Sequence, residues 1–172
     1  MTTSLKTQVD IQVNWDYRNP RGDWDIADAN VPKFSFLFGS LGLDNMTTAT
    51  AMWRDSRTVT SGSPNDDIDL KGGVTDVLGN SFNPTAIVAI LIINNSTNAG
   101  DKLLIGGAAS NPITSIFNGS GTAKAIIGPS SPLFLSDFAN GFSLSAGSAD
   151  VLRVAYSGAS GSIDYDIFVW AK

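Results

Sequence analysis

An all-β fold is predicted by three features of this 172-residue chain: its choice of acids, apolar residues recurring at every second position, and turn signals that cut it into short runs. All 16 acidic residues are Asp, with no Glu anywhere. Asp competes with the helical backbone for hydrogen bonds where Glu would support it. Ser, Thr, Asn and 17 glycines fill the polar positions, and these are turn formers. About ten short strands at this spacing predict a single-domain antiparallel β-sandwich over residues 1–172, with a jelly roll as the expected variant. An irregular N-terminal arm is expected at 18–31.

The first strand is expected over Val9 to Tyr17, where Val9, Ile11, Val13, Trp15 and Tyr17 alternate with polar residues. Trp15 falls on the apolar face and is assigned to the core. Asn19-Pro20, Gly22 and a run of Asp and Asn then make Arg18 to Val31 irregular. A second alternation carries Phe34, Phe36 and Phe38. Trp53 to Val59 suits another strand, bounded by Ser61-Gly62-Ser63-Pro64, and Ile68 with Leu70 a short one that stops at Gly72-Gly73. Thr85 to Ile93 is apolar on both faces, so it belongs in the middle of a sheet, because such a surface at an edge would aggregate. Short strands follow near Lys102 to Ile105, Thr122 to Ile127, Leu133 to Leu135, Phe142 to Leu144, Val151 to Tyr156 and Ser162 to Trp170. In the last, Ile163, Tyr165, Ile167 and Val169 share one face. The opposite face turns from Asp164 and Asp166 to Phe168 and Trp170, where a neighbouring loop or subunit is expected to cover the aromatics. All 7 prolines fall at segment boundaries, where a missing ladder donor costs least.

Composition narrows the function. Without Cys there are no disulfides or thiolate chemistry, and without His the commonest general base and metal ligand is gone. No nucleophile elbow, dinucleotide fingerprint or phosphate-binding loop occurs, so the chain reads as non-catalytic, with no cofactor. At net charge −5 the 11 basic residues are scattered from Lys6 to Lys172, which argues against a nucleic-acid partner. The longest apolar run, Ala86 to Ile93, is far shorter than the about 20 residues of a membrane helix, so no membrane partner is expected. Met1 to Asp10 lacks the apolar region of a secretory signal, and the mature chain is expected to begin there.

Several stretches carry a resemblance. Trp53-Arg54-Asp55-Ser56-Arg57-Thr58-Val59, Asp67-Ile68-Asp69-Leu70-Lys71-Gly72-Gly73-Val74-Thr75-Asp76 with Gly79-Asn80, Gly106-Gly107-Ala108-Ala109-Ser110-Asn111, and Asp150-Val151-Leu152-Arg153-Val154 through Tyr165-Asp166-Ile167 resemble a family of small tailed-bacteriophage virion structural proteins. The likeness spans roughly Met46 to Lys172. It implies a head-associated, capsid-decorating or capsid-stabilising role, exercised through contacts with the major capsid protein or other virion proteins. It implies a virion location after synthesis in the host bacterial cytoplasm. A symmetric homo-oligomer, first of all a trimer, is the expected state. A tail or neck component is the alternative within the same particle. A carbohydrate-binding β-sandwich, with Trp24, Phe168 or Trp170 as its solvent-facing aromatics, is the alternative from another class.

Two candidate sites follow. Tyr17, Arg18, Arg21 and Trp24 combine residue types enriched at interface centres in a segment that buries little by itself, so they are the candidate protein interface, with Trp24 as a local cap on its own sandwich as the other reading. Asp66, Asp67 and Asp69 form the densest acidic cluster. Oxygen-rich loops bind Ca²⁺, yet the glycine and bidentate Glu of an EF-hand are missing, so the cluster reads as a solvated turn and no metal ligand is assigned. The same carboxylates are not read as a glycosidase pair, for which a cleft is needed. Arg21-Gly22-Asp23 spells an integrin-type tripeptide too short to carry weight without an extracellular context, and the Asn-x-Ser/Thr matches at Asn45, Asn94, Asn95 and Asn118 are patterns that a chain rich in Asn, Ser and Thr produces freely.

Overall fold

The computed structural model describes residues 7–12, 33–38, 49–76, 79–158 and 161–172. Length predicts one domain, whereas the contacts divide the chain into two compact units, Met1–Leu41 and Gly42–Lys172. In the first, β1 (Thr7–Gln12) pairs antiparallel with β2 (Lys33–Phe38), a register that sets Val9 opposite Phe36 and Ile11 opposite Phe34. The remainder of the expected first strand, Val13 to Tyr17, and the arm at 18–31 lie outside the described residues.

The second unit is an all-β sandwich. Its strands are β3 (Ala51–Thr60), β4 (Asn65–Asp69), β5 (Ala86–Asn94), β6 (Lys102–Ile105), β7 (Ala125–Ile127), β8 (Ser131–Ser136), β9 (Phe142–Ser143), β10 (Val151–Ser157) and β11 (Ser162–Ala171). One sheet runs β3-β11-β5-β8, with the short β9 also on β5, and the other runs β4-β10-β6-β7. Every pair of these strands is antiparallel. A single turn of 3₁₀ helix, Ser115–Phe117, is the helical element among the described residues.

Alternation explains why the sheets face each other. On β11, Ile163, Tyr165, Ile167 and Val169 are no more than 1% exposed, as the period-two pattern predicts. Val59 of β3 and Ile90 and Ile92 of β5 extend that face, and Ile68, Leu103, Ile105, Leu152 and Val154 meet it from the other sheet in one core cluster. Leu70, Phe82, Ile113 and Leu144 join the cluster from outside or beyond the ends of the strands. β5 lies inside its sheet, as its two apolar faces require. Its Ala86 to Ile90 and Ile92 are buried, and Leu91 and Ile93 half-buried.

Two local features hold the frame. Asn94 is fully buried at the end of β5, and its Nδ2 donates to the carbonyls of Asp101 at 3.1 Å and Ile127 at 3.3 Å. Its Oδ1 accepts the Ser96 N–H at 3.0 Å, so the side chain is satisfied while tying β5 to β7 of the facing sheet. Gly106 ends β6 at φ +103°, and a Cβ there would lie 2.5 Å from the Phe117 ring, which restricts the position to glycine on both counts.

Ile92→Ala or Ile167→Ala is expected to lower stability by about 2–5 kcal/mol in urea denaturation. Ile126, 66% exposed on β7, should tolerate Ala within about 0.5 kcal/mol. Similar losses at all three positions would contradict this core.

Candidate functional site

The four residues expected to form an interface, Tyr17, Arg18, Arg21 and Trp24, lie outside the described residues, as does Trp15. The described polar chemistry gathers instead around β3, β4 and β11, and it begins with the acidic cluster.

Asp66, Asp67 and Asp69 are not in a turn. They belong to β4, whose register pairs Asp66 with Val154, Asp67 with Arg153 and Asp69 with Val151 of β10. Strand geometry therefore sends Asp66 to one face and Asp67 and Asp69 to the other, so the three carboxylates do not converge. Each also has a partner. Asp66 takes a bidentate grip from Arg57, Nε at 2.5 Å and Nη2 at 2.8 Å, and accepts the Tyr165 hydroxyl at 2.5 Å. Asp67 is held by Arg153 through Nε and Nη2, both at 2.6 Å, while Arg153 Nη1 also reaches the Gly107 carbonyl at 3.3 Å. Asp69 accepts the Lys71 N–H at 2.8 Å. Among the described residues no group of three acids is arranged to hold a metal ion.

The Arg57, Asp66 and Tyr165 group links the two sheets. Arg57 and Tyr165 come from β3 and β11 of one, and Asp66 from β4 of the other. The Asp66 hydrogen bond holds the Arg57 guanidinium above its usual range, against the cost of partial burial. Burial first, and then the hydrogen bond to Asp66, pushes the Tyr165 phenol well up. Both groups thus keep their protons at neutral pH, and the arrangement serves as a polar brace between the sheets.

The outer face of the same sheet is also prearranged. Thr58 Oγ1 donates to Asp164 at 2.6 Å, and Ser56 Oγ and Asn95 Nδ2 donate to Asp166 at 2.6 and 2.9 Å. Those two donors, Ser56 foremost, lower the Asp166 carboxyl. Further along β11, Phe168 and Trp170 stack with ring centroids 6.2 Å apart. Trp170 is only 3% exposed and Phe168 half-buried, so this pair does not form the open aromatic platform that the carbohydrate alternative requires. Two shallow concavities lie along β3, one of about 290 Å³ beside Arg54, Ser56 and Phe168 and one of about 390 Å³ between β3 and β4, lined by polar side chains including Arg57, Asn65 and Asp66.

Sequence reasoning missed this brace. Its one local signal is Arg57 on the face that also carries Trp53 and Val59, where a charge needs a partner from elsewhere in the fold. Neither the models of known families nor the curated proteins compared with this chain match it.

Tyr165→Phe should cost about 1.5–3 kcal/mol, the scale of a hydrogen bond to a charged group. Because the phenol is raised in the folded state, that contribution is present below about pH 10 and is lost as pH rises further toward the folded value. The stability gap between wild type and Tyr165→Phe should therefore narrow in alkaline urea titrations, and a gap that widens would contradict the brace. Since arginine and tyrosine already occupy Asp66 and Asp67, EDTA should move the melting temperature by no more than about one degree.

Proposed function

We propose that the chain is a non-catalytic virion structural protein of a tailed bacteriophage that decorates or stabilises the capsid through protein–protein contacts. The observation that carries this reading is the strand order of the second unit. Setting aside the two-residue β9, eight strands remain in chain order, and the sheets read first-eighth-third-sixth and second-seventh-fourth-fifth. First pairs with eighth, second with seventh, third with sixth and fourth with fifth. This nested succession is that of one long hairpin rolled into two sheets, which supports the jelly-roll variant, an architecture recurrent in viral capsid domains.

Two further observations agree. The stretches that resemble phage virion proteins fall on β3, on β4 and the loop after it, on the turn after β6 and on β10 and β11, so the likeness follows the sandwich frame. The acids of β4 and the outer acids of β11 are engaged by arginine, tyrosine, hydroxyl or amide donors, which suits a surface built to pack. In this reading the partners are the major capsid protein or other virion proteins and further copies of the chain. The protein resides on the virion after synthesis in the bacterial cytoplasm.

Cryo-electron microscopy of intact particles tests the reading directly, with density for the sandwich expected on the capsid exterior; density confined to the neck or tail would favour the alternative within the particle. For the arm, Trp24→Ala is expected to leave the melting temperature within a few degrees while weakening association with undecorated capsids by about 2 kcal/mol or more. A loss of about 3 kcal/mol in the stability of the free protein, with residual binding intact, would instead make Trp24 a cap on its own fold.

A further inference from the structure

We propose that β3 is a self-association edge: two copies of the chain join antiparallel through their β3 strands about a two-fold axis at Ser56, with Asp55 of each copy facing Arg57 of the other. The inference deepens the homo-oligomer part of the proposed function and is independent of where on a particle the protein sits.

β3 is ten residues long and pairs with β11 on one side, and no described strand lies on its other side. The direction of its backbone groups can be read from the hydrogen bonds. Ser61 N–H donates to the Gly161 carbonyl, toward β11, whereas Thr60 N–H turns to the Ser63 carbonyl and Ser56 N–H to its neighbour's carboxylate, Asp55 Oδ1, at 2.9 Å. Alternation then points the N–H and C=O groups of Met52, Arg54, Ser56 and Thr58 at the open edge. Arg54, Asp55, Ser56 and Thr58 are exposed and Arg57 half-buried.

Charge selects the register. A second β3 must keep the same faces together, because a slip by one residue reverses every side chain. A dyad at Asp55 sets two carboxylates opposite each other, and a dyad at Arg54 or Arg57 sets two guanidiniums opposite each other. At Thr58 no charges meet. At Ser56 two opposite-charge pairs form, Asp55 with Arg57 and Arg57 with Asp55. They fall at the non-hydrogen-bonded positions, where strands bring side chains closest. Ser56 with Ser56 and the two pairings of Arg54 with Thr58 supply the backbone bonds.

Arg57 is prepared for the exchange. Its Nε and Nη2 stay on Asp66, and Nη1 is the nitrogen that holds Asp55 of its own chain, at 3.0 Å. In the free chain the Asp55 carboxylate covers both the Ser56 N–H and Nη1. On association it moves to Nη1 of the second copy's Arg57, and the freed Ser56 N–H enters the new ladder. So short a contact lies at the small end of specific interfaces, so the pair is expected to be weak and concentration-dependent in solution and stronger where copies are held side by side.

The absence of cysteine makes the test direct. Full-length Arg54→Cys, Asp55→Cys, Ser56→Cys and Thr58→Cys variants are oxidised mildly at matched concentrations up to ~1 mM, and Ser56→Cys should cross-link about tenfold faster than the others, since it alone brings a thiol to the dyad within disulfide reach. In sedimentation velocity the wild type should approach dimer mass as concentration rises, and Asp55→Arg, with an unchanged circular dichroism spectrum, should weaken the pair by about tenfold or more. Cross-linking that peaks elsewhere or is equal at all four positions, or a wild type monomeric throughout, overturns the proposal. A trimer that Asp55→Arg leaves intact overturns this edge while preserving the homo-oligomer reading. A dimer that behaves as described but never binds capsids preserves the edge and removes the capsid role.

Discussion

Burial of β11 on its inner face and along both of its edges is the constraint on which the rest of the second unit depends. Pairing with β3 over ten residues on one side and with β5 on the other makes it interior to its sheet. Every second side chain from Ile163 to Val169 must then find an apolar ceiling, and the β4-β10-β6-β7 sheet supplies it through Ile68, Leu103, Ile105, Leu152 and Val154. Interiors of this kind pack at crystal-like density, so the separation of the two sheets is set by these side chains.

The same placement brings Tyr165 into the core with a hydroxyl that must be satisfied there. Asp66 answers it from the facing sheet, and Arg57 neutralises Asp66 from the edge strand. A buried ion pair by itself is weak evidence of stability, since desolvation opposes it. Here its clearer effect is on alignment, because a bidentate arginine and a phenol on one carboxylate tolerate little sliding of one sheet over the other. The brace also orients Arg57 at the rim, leaving one guanidinium nitrogen directed at Asp55 on the same strand.

Edges are where a sandwich must either defend itself or associate. β3 carries alternating charge and a carboxylate laid over its own backbone N–H, which guards against indiscriminate pairing. The same charges favour a single self-complementary register. The proposed structural role would need this combination of general repulsion and one permitted partner.

Most of the strands were legible from local chemistry. Alternation located β11 and its buried face, two apolar faces placed β5 in the interior of its sheet, and Gly, Pro, Asn and Ser clusters marked the turns, because side-chain period and turn preference are properties of a few neighbouring residues. The extent of β4 was missed for the same reason: three Asp in four positions look like a solvated turn until β10 supplies the ladder and Arg57 and Arg153 the counter-charges. Strand order, the burial of Trp170 and the Arg57, Asp66 and Tyr165 brace were decided by tertiary structure. Tyr165 and Asp66 stand 99 residues apart, and no local pattern specifies which strand will lie across the core from which. Outside β4, the sequence by itself determined where most of the described strands lie, where the chain turns and which face of β11 avoids water, and only the packing of two sheets decided which charges would meet and which strand would end its sheet.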